Sequence, residues 1–548
     1  INELKISGEI SQSKDDISRV SRDASIFKVT PKVVLYPKDA EDVKSVVKWA
    51  AEQKQKDTSI SITARSAGTD MGGGPLNDSM ILDFTKHFNR VLEVGENYAI
   101  TEPGVYYRDF EPETLKKGLL MPSYPASREL CTVGGMVSNN SGGEKSLRYG
   151  KTERYVRELH MVLSDGNEYV FGPLTREQLE QKKSQQDFEG AVYRGMHELL
   201  ETNYDAIKKA KPDVSKNSAG YYLWNVYDKE KDIFDLNKLL VGSQGTLGMV
   251  TKIKFDLIRP KKHSKLLVIF LKDLKPLGDL VNEVMRFKPE SFESYDDQTL
   301  KLAIRFLPAM LKKMKGNVFS LFFKFMPEMG MVLSGGMPKL VLIAEFTADD
   351  ESEIDRTMAE AEKSVKEKFH LKTHLTRSAE EAEKYWTIRR ESFSLLRSNV
   401  GDEHTAPFID DIIVHVNQLP TFLPKLNELV AQYKGLTYTI AGHAGDANFH
   451  VIPLMDFRKK ENREAIPKLS EQVYDLVISL HGSITAEHND GLIRTPYLEK
   501  MYGSEITDLF RKTKEIFDPH YLFNPRKKVP LPDTKSELQY DQQHTITE

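Results

Sequence analysis

Apolar and polar positions alternate in distinct units along this chain. "VVLYP" (33–37) is an apolar run of strand length. In the following "KDAEDVKSVVKWAAEQ", Val43, Val46, Val47 and Ala50 recur at helical spacing, and Asp39 is placed to cap a helix. "SISITARS" (59–66) and "SMILDF" (79–84) read as two further strands, so the stretch predicts a β-α-β unit whose second strand runs into glycines. Residues 1–27 are polar, lack periodicity and read as an arm. After "LIRPKKHSK" (257–265) the character changes: strands such as "KLLVIFL" and "KLVLIAEF" alternate with long charged helices up to residue 480, which predicts a second α+β domain. Within it, "TIAGHAGDANFHVIPLMD" (439–456) reads as a hairpin with His443 and His450 on facing arms. Motifs return from 481, and residues 529–548 read as a polar tail.

A length of 548 residues fits two or three domains. With 39% hydrophobic and 29% charged residues the composition is that of a soluble globular protein, and a net charge of -4 argues against general nucleic-acid binding. The single cysteine, Cys131, excludes an internal disulfide, an all-cysteine zinc site and an iron–sulfur cluster built by this chain alone, and agrees with a cytoplasmic setting. No charge-free apolar run approaches the ~20 residues that span a bilayer, and no secretory signal is visible. Residues 305–338 cluster Met and Phe with Lys312, Lys313, Lys315 and Lys324. They read as domain core with snorkelling lysines, and on a sharper reading as a peripheral membrane contact.

Three loops rich in small residues, "ARSAGTDMGGG" (64–74), "CTVGGMVSNNSGG" (131–143) and "GSQGTLGMVTKI" (242–253), together point to one nucleotide-like ligand, because glycine lets backbone N–H groups approach phosphates. None matches the dinucleotide or P-loop fingerprints.

These loops resemble the flavin-binding loops of the vanillyl-alcohol oxidase / p-cresol methylhydroxylase superfamily. With "GHAGDANFHV" (442–451), "SITAEHNDG" (483–491) and "FDPHYLFNP" (517–525), the chain resembles the FAD-linked D-2-hydroxyacid dehydrogenases, the group of D-lactate, glycolate and D-2-hydroxyglutarate dehydrogenases. The resemblance covers roughly 28–527. It implies an α+β fold: a two-subdomain FAD-binding domain of the p-cresol methylhydroxylase type (28–258), a cap domain on an antiparallel sheet (259–480), and a C-terminal segment (481–528) returning to the flavin. It also implies FAD contacts from Arg65, Ser66, Ala67, Gly68, Thr69, Asp70, Gly72, Gly73 and Gly74. The second loop would contribute Thr132, Gly134, Gly135, Asn140, Ser141 and Gly142, the third Gln244, Gly245, Gly248 and Val250, and the C-terminus Asn524. Thr69 stands where relatives that link flavin covalently often have histidine, and Cys131 is displaced by one residue from a linking cysteine, so non-covalent FAD is expected. Ala447 replaces a glycine of the hairpin turn.

On the residues alone, the hairpin histidines are either two polar side chains or two ligands of one ion. The resemblance favours the second, with Glu487 as third ligand of one divalent metal: zinc first, manganese or iron(II) as alternatives. It further implies His488 as general base, Asn448 as a polar partner of the substrate or metal-bound oxygen, and Arg389 of "YWTIRRES" as the grip on the substrate carboxylate. The implied reaction is oxidation of a small lactate- or glycolate-like acid to the 2-oxoacid, with hydride passing to flavin N5. A separate acceptor (an iron–sulfur protein, an electron-transfer flavoprotein or a quinone) would take the electrons. Competing readings are a non-redox flavoenzyme like alkylglycerone-phosphate synthase and a flavin electron-relay subunit.

Overall fold

In the computed structural model the described residues are 3–297, 299–301, 337–398, 403–433 and 436–531. The β-α-β unit forms as the pattern predicts. Val33–Tyr36 and Ile62–Arg65 both pair in parallel with Met80–Asp83, and the helix Ala40–Lys54 crosses between them. Asp39 caps that helix by accepting from the Asp42 N–H, while Val43, Val46, Val47 and Ala50 are fully buried.

Residues 1–27 depart from the expected arm. Glu9–Ser11 adds an antiparallel strand to Val33–Tyr36, and a helix, Lys14–Val20, follows with Ser13 as its cap. The Arg65 guanidinium holds this segment by donating to the carbonyls of Val20 (3.1 Å) and Arg22 (2.7 Å). A three-residue strand and a seven-residue helix are too short to show a period in the sequence.

A five-stranded antiparallel sheet completes the first half, in the order Val91–Val94, Tyr98–Thr101, Met249–Asp256, Val156–Val162, Glu168–Phe171. The third glycine loop feeds directly into Met249–Asp256. The second forms the short helix Val133–Asn139, capped by Thr132.

From His263 a single antiparallel sheet runs through Lys372–Leu375, His263–Leu271, Leu340–Ala348, Ser291–Asp296, Thr437–His443, Asn448–Met455 and His404–Thr405, with Ile412–Ile413 also against Asn448–Met455. Side chains alternate across it. Phe292 packs toward helices that contribute Val281, Met358, Phe422 and Val473 to one core. Its strand neighbour Tyr295 belongs to the opposite cluster, with Tyr385 and Trp386 of the helix Ala379–Ser398. Glu293 therefore emerges on that second face, beside the hairpin.

The C-terminal helix Leu498–Phe517 packs on Phe188–Thr202 of the first half. The chain then runs alongside Ile62, where the Asn524 N–H donates to the Ile62 carbonyl at 2.8 Å. Packing continues to Val529, which is buried, so the first residues of the expected polar tail belong to the core. The rest of the tail from 532, and nearly all of 305–338, lies outside the described residues. Among the described residues no helix is long and apolar enough to cross a membrane.

Lys514 closes this return. Its Nζ is buried and donates to the carbonyls of Thr246 (2.6 Å) and Phe523 (2.7 Å) and to the Asp518 carboxylate (2.6 Å). Lys514→Met leaves the Asp518 charge buried without its cation. We expect a loss of about 3–5 kcal/mol, read as a lower urea midpoint.

Candidate active site

One cavity of about 1260 Å³ runs from the glycine loops to the hairpin histidines. Its wall includes Arg65, Ser66, Ala67, Gly68, Thr69, Asp70 and Gly74 of the first loop, Gly134, Gly135, Ser141 and Gly142 of the second, and Gln244, Gly245, Gly248 and Val250 of the third. Close approach demands glycine at two points in particular. A Cβ on Gly135 would stand 2.7 Å from Ser66 Oγ, and one on Gly142 would stand 2.6 Å from Glu487 Oε1. The glycines thus let the first two loops press together and let the second pass beneath Glu487.

Five residues expected to touch the cofactor sit behind the wall instead. Gly72 and Gly73 pack against Asp490, Gly491, Phe27 and Leu492. Thr132 is the helix cap, and Asn140 ends that helix in the left-handed conformation while its Oδ1 accepts from the Glu153 N–H at 3.0 Å. Asn524 is buried; its amide donates to the carbonyls of Gly74 (3.0 Å) and Gln244 (2.6 Å), and its Oδ1 accepts from Thr63 Oγ1 (2.8 Å). It stitches the first and third loops together. Asn448, expected at the substrate, is likewise buried and off the cavity, donating to Asp411 Oδ1 (3.1 Å) and the Ile412 carbonyl (3.2 Å).

The other expected residues converge. Thr437–His443 and Asn448–Met455 pair so that Ala441 opposes His450, which puts His443, two residues on, on the same face. The rings of His443 and His450 are 5.3 Å apart, and those of His450 and His488 stack at 4.9 Å. Glu487 and His488 are sequence neighbours that both reach this point because they lie in a turn rather than a strand. Asp411 Oδ2 hooks that turn by accepting from both their N–H groups and from Thr485 Oγ1, each at 2.7 Å. Ala447 takes a left-handed φ of 55° between the strands, the conformation that favours glycine.

Each of the three expected ligands is held from behind by a buried charge. His443 Nδ1 meets Glu293 Oε1 at 2.6 Å, so its Nε2 faces Glu487 Oε2 at 3.2 Å. His450 Nδ1 meets Asp410 Oδ1 at 3.0 Å, and the other oxygen of the same carboxylate takes His488 Nδ1 at 2.6 Å. Lys216 Nζ holds Glu487 Oε1 at 2.6 Å and Asp446 at 2.8 Å. Arg389 borders the same cavity and donates to Glu293 Oε2 at 3.1–3.2 Å. Glu293, Asp410, Asp411 and Lys216 escaped the sequence reading. The adjacent acids within apolar "FIDDII" were the one legible signal, since two carboxylates there must be paired when buried. Glu293 and Lys216 carry no local signature.

Comparison with known proteins agrees with this geometry. Residues 31–172 match the FAD binding domain and residues 260–528 the C-terminal domain of FAD linked oxidases. The chain carries both of these domains. The chain is 28% identical to the D-2-hydroxyglutarate dehydrogenase of Pseudomonas putida over 95% of its own length, spanning 50% of that protein. It is 26% identical to glycolate oxidase subunit GlcD of Bacillus subtilis over 91% of its length and 89% of that subunit. The chain thus spans about half the length of some curated relatives it matches. Its fold is that of p-cresol methylhydroxylase, with a TM-score of 0.66 at 16% identity over 96% of this chain and 95% of that one.

The wall suits a flavin. Besides the glycine cradles, Arg65 Nε and Asn139 Oδ1 are buried polar atoms on wall residues without a protein hydrogen bond. The histidine end suits a cation. Glu293, Asp410, Asp411, Asp446 and Glu487 outnumber the permanent cations paired with them, Lys216 and Arg389, so protons on the histidines or a bound ion must balance the rest. Burial opposes charge here, yet Glu293 and Glu487 push the His443 imidazolium pKa up to about 9, and Asp410 and Asp411 push His488 up to about 9. Burial likewise opposes ionisation of Glu487, but His443 and Lys216 hold its carboxyl well below the usual range. Potential ligand atoms of Asp411, His450, Glu487 and His488 lie within 4.8 Å of one another. Asp411 is already engaged by backbone and Asn448, whereas His443 adjoins the group through Glu487. The group thus takes in two of the three expected ligands together with His488, while His443 stands next to it, its Nε2 on Glu487 Oε2.

Asn524→Ala removes the stitch between two loops without touching the cavity. We expect a stability loss of about 1–3 kcal/mol and weaker FAD retention, measured by flavin absorbance after gel filtration.

Proposed function

We propose that this chain oxidises a small D-2-hydroxyacid, lactate- or glycolate-like, to its 2-oxoacid, using non-covalent FAD and one divalent cation held by His443, His450 and Glu487. The observation that carries the reading is the single cavity on which the flavin-type loops, the ligand triad, Arg389 and His488 all open. When bound, FAD supplies the hydride acceptor and the cation Lewis acidity toward the hydroxyl oxygen. Arg389 grips the substrate carboxylate with its planar fork. His488, oriented through Nδ1 by Asp410, would take the hydroxyl proton at Nε2 once a bound cation offsets the acids that otherwise keep this imidazole protonated.

Small acids are favoured because other cations on the cavity are already engaged. Arg390 pairs with Glu144 at 2.6 Å and lies over Trp386, and Arg128 pairs with Glu111 at 3.3 Å. Non-covalent attachment is supported by Thr69 on the wall and by Cys131, whose thiol burial pushes up to about 12, which suppresses the nucleophilic thiolate. Zinc fits two imidazoles and a carboxylate, as do manganese and iron(II). Electrons then leave to a separate acceptor.

Anaerobic addition of D-lactate or glycolate should bleach the flavin. Absence of bleaching with every 2-hydroxyacid tried would reject the reading in favour of a non-redox or relay role. Acid precipitation should release all flavin into the supernatant. Arg389→Lys should lower kcat/KM for a D-2-hydroxyacid with FAD content intact, because the bidentate contact is lost. Among the histidines, two phenotypes are expected by elemental analysis and stopped-flow. Alanine at His443, His450 or Glu487 lowers metal content together with activity. His488→Gln keeps the metal and slows flavin reduction by roughly 10²–10⁴-fold.

A further inference from the structure

Glu293 stands where two assigned roles meet. It lies on the central strand Ser291–Asp296, with a side chain only 2% exposed, and each of its oxygens serves a different partner. Oε1 accepts from the Nδ1 of His443, whose opposite nitrogen faces Glu487. Oε2 accepts from Nε of Arg389, at 3.2 Å, and lies 3.1 Å from its Nη2. The arginine comes from the helix Ala379–Ser398 and the histidine from the hairpin, so no backbone path of fewer than about fifty residues joins them. Glu293 is the short connection. By contrast, Asp410 joins a ligand to the base, and Lys216 braces Glu487 alone among the ligands.

We propose that Glu293 is a positioning residue that couples the carboxylate-gripping arginine to the cation site, so that the state of Arg389 sets the affinity of the ion and occupancy of the ion sets the grip on the substrate. The inference rests on the reading of Arg389 and the ligand triad given above. A carboxylate behind a ligating imidazole fixes its tautomer and raises its basicity, and removing such a group weakens metal affinity by about 10–100-fold. Here that carboxylate is shared. Charge that Oε2 donates to the guanidinium is withheld from His443, and a substrate carboxylate drawing on Arg389 redistributes it. Linkage makes the effect reciprocal. Glu487, itself held by Lys216, faces the same imidazole from the far side and holds its position while the rear partner changes.

The test is a double-mutant cycle on zinc affinity, measured by chelator competition with the FAD-loaded protein. Glu293→Gln should weaken zinc binding by about 10–100-fold. Arg389→Met, although Arg389 is not a ligand, should shift zinc affinity by about fivefold or more with Glu293 present and leave it unchanged in the Glu293→Gln background. Equal shifts in both backgrounds would show through-space charge only and overturn the proposal. If Glu293→Gln does not fold, the Arg389→Met arm stands alone, and no shift there overturns it. Failure of the parent protein to bind zinc, manganese or iron(II) would instead remove the cation site itself, separating that failure from an additive cycle.

Discussion

Everything at the active end of this molecule depends on keeping a set of charges paired out of water. Arg389, Glu293, His443, Glu487 and Lys216 form one continuous run of contacts, each 2.6 to 3.2 Å long. Stranding any one of these groups would leave a buried charge uncompensated, at a cost of several kcal/mol. The run crosses the molecule: Lys216 comes from the flavin-type half, Glu293 and His443 from the cap sheet, Arg389 from the helix over it, and Glu487 from the returning C-terminal segment. Pairing the charges therefore fixes how these parts sit on one another.

The same constraint orders the site. A histidine gripped at Nδ1 by a carboxylate can offer only Nε2, and this holds for His443, His450 and His488 alike. A glutamate gripped at Oε1 by lysine offers only Oε2. Pre-set side chains leave little reorganisation for binding to demand, which is how a site gains precision without many contacts. Gly142 completes the arrangement by leaving room beneath Glu487, joining the glycine-loop wall to the histidine cluster.

Support from outside the cavity is the second theme. Asn524, Asn448, Thr132 and Asn140 each hold the wall from behind through their amide or hydroxyl groups. Residues expected at the ligand can thus matter through the loops they hold. The N-terminal strand and helix act similarly, pinned by Arg65, a residue that also faces the cavity.

Local order was legible in the chain itself. Helical spacing of Val43, Val46, Val47 and Ala50, the hairpin around "GHAGDANFH" and the glycine loops all depend on near neighbours, and the pattern of the sequence determines them. His443, His450, Glu487 and Arg389 could be named because their motifs are contiguous. Which atom of each faces the cavity could not, because the deciding partners, Glu293, Asp410 and Lys216, lie tens to hundreds of residues away, and of these only Asp410 leaves a local trace, as one of the paired acids in "FIDDII". Asn448 and Asn524 show the limit in the other direction: a motif marks a residue, but only packing decides whether its amide meets the cavity or the carbonyls behind it. Tertiary structure settles such questions because burial removes water as the alternative partner, and a buried polar group must bond whatever the rest of the chain brings beside it.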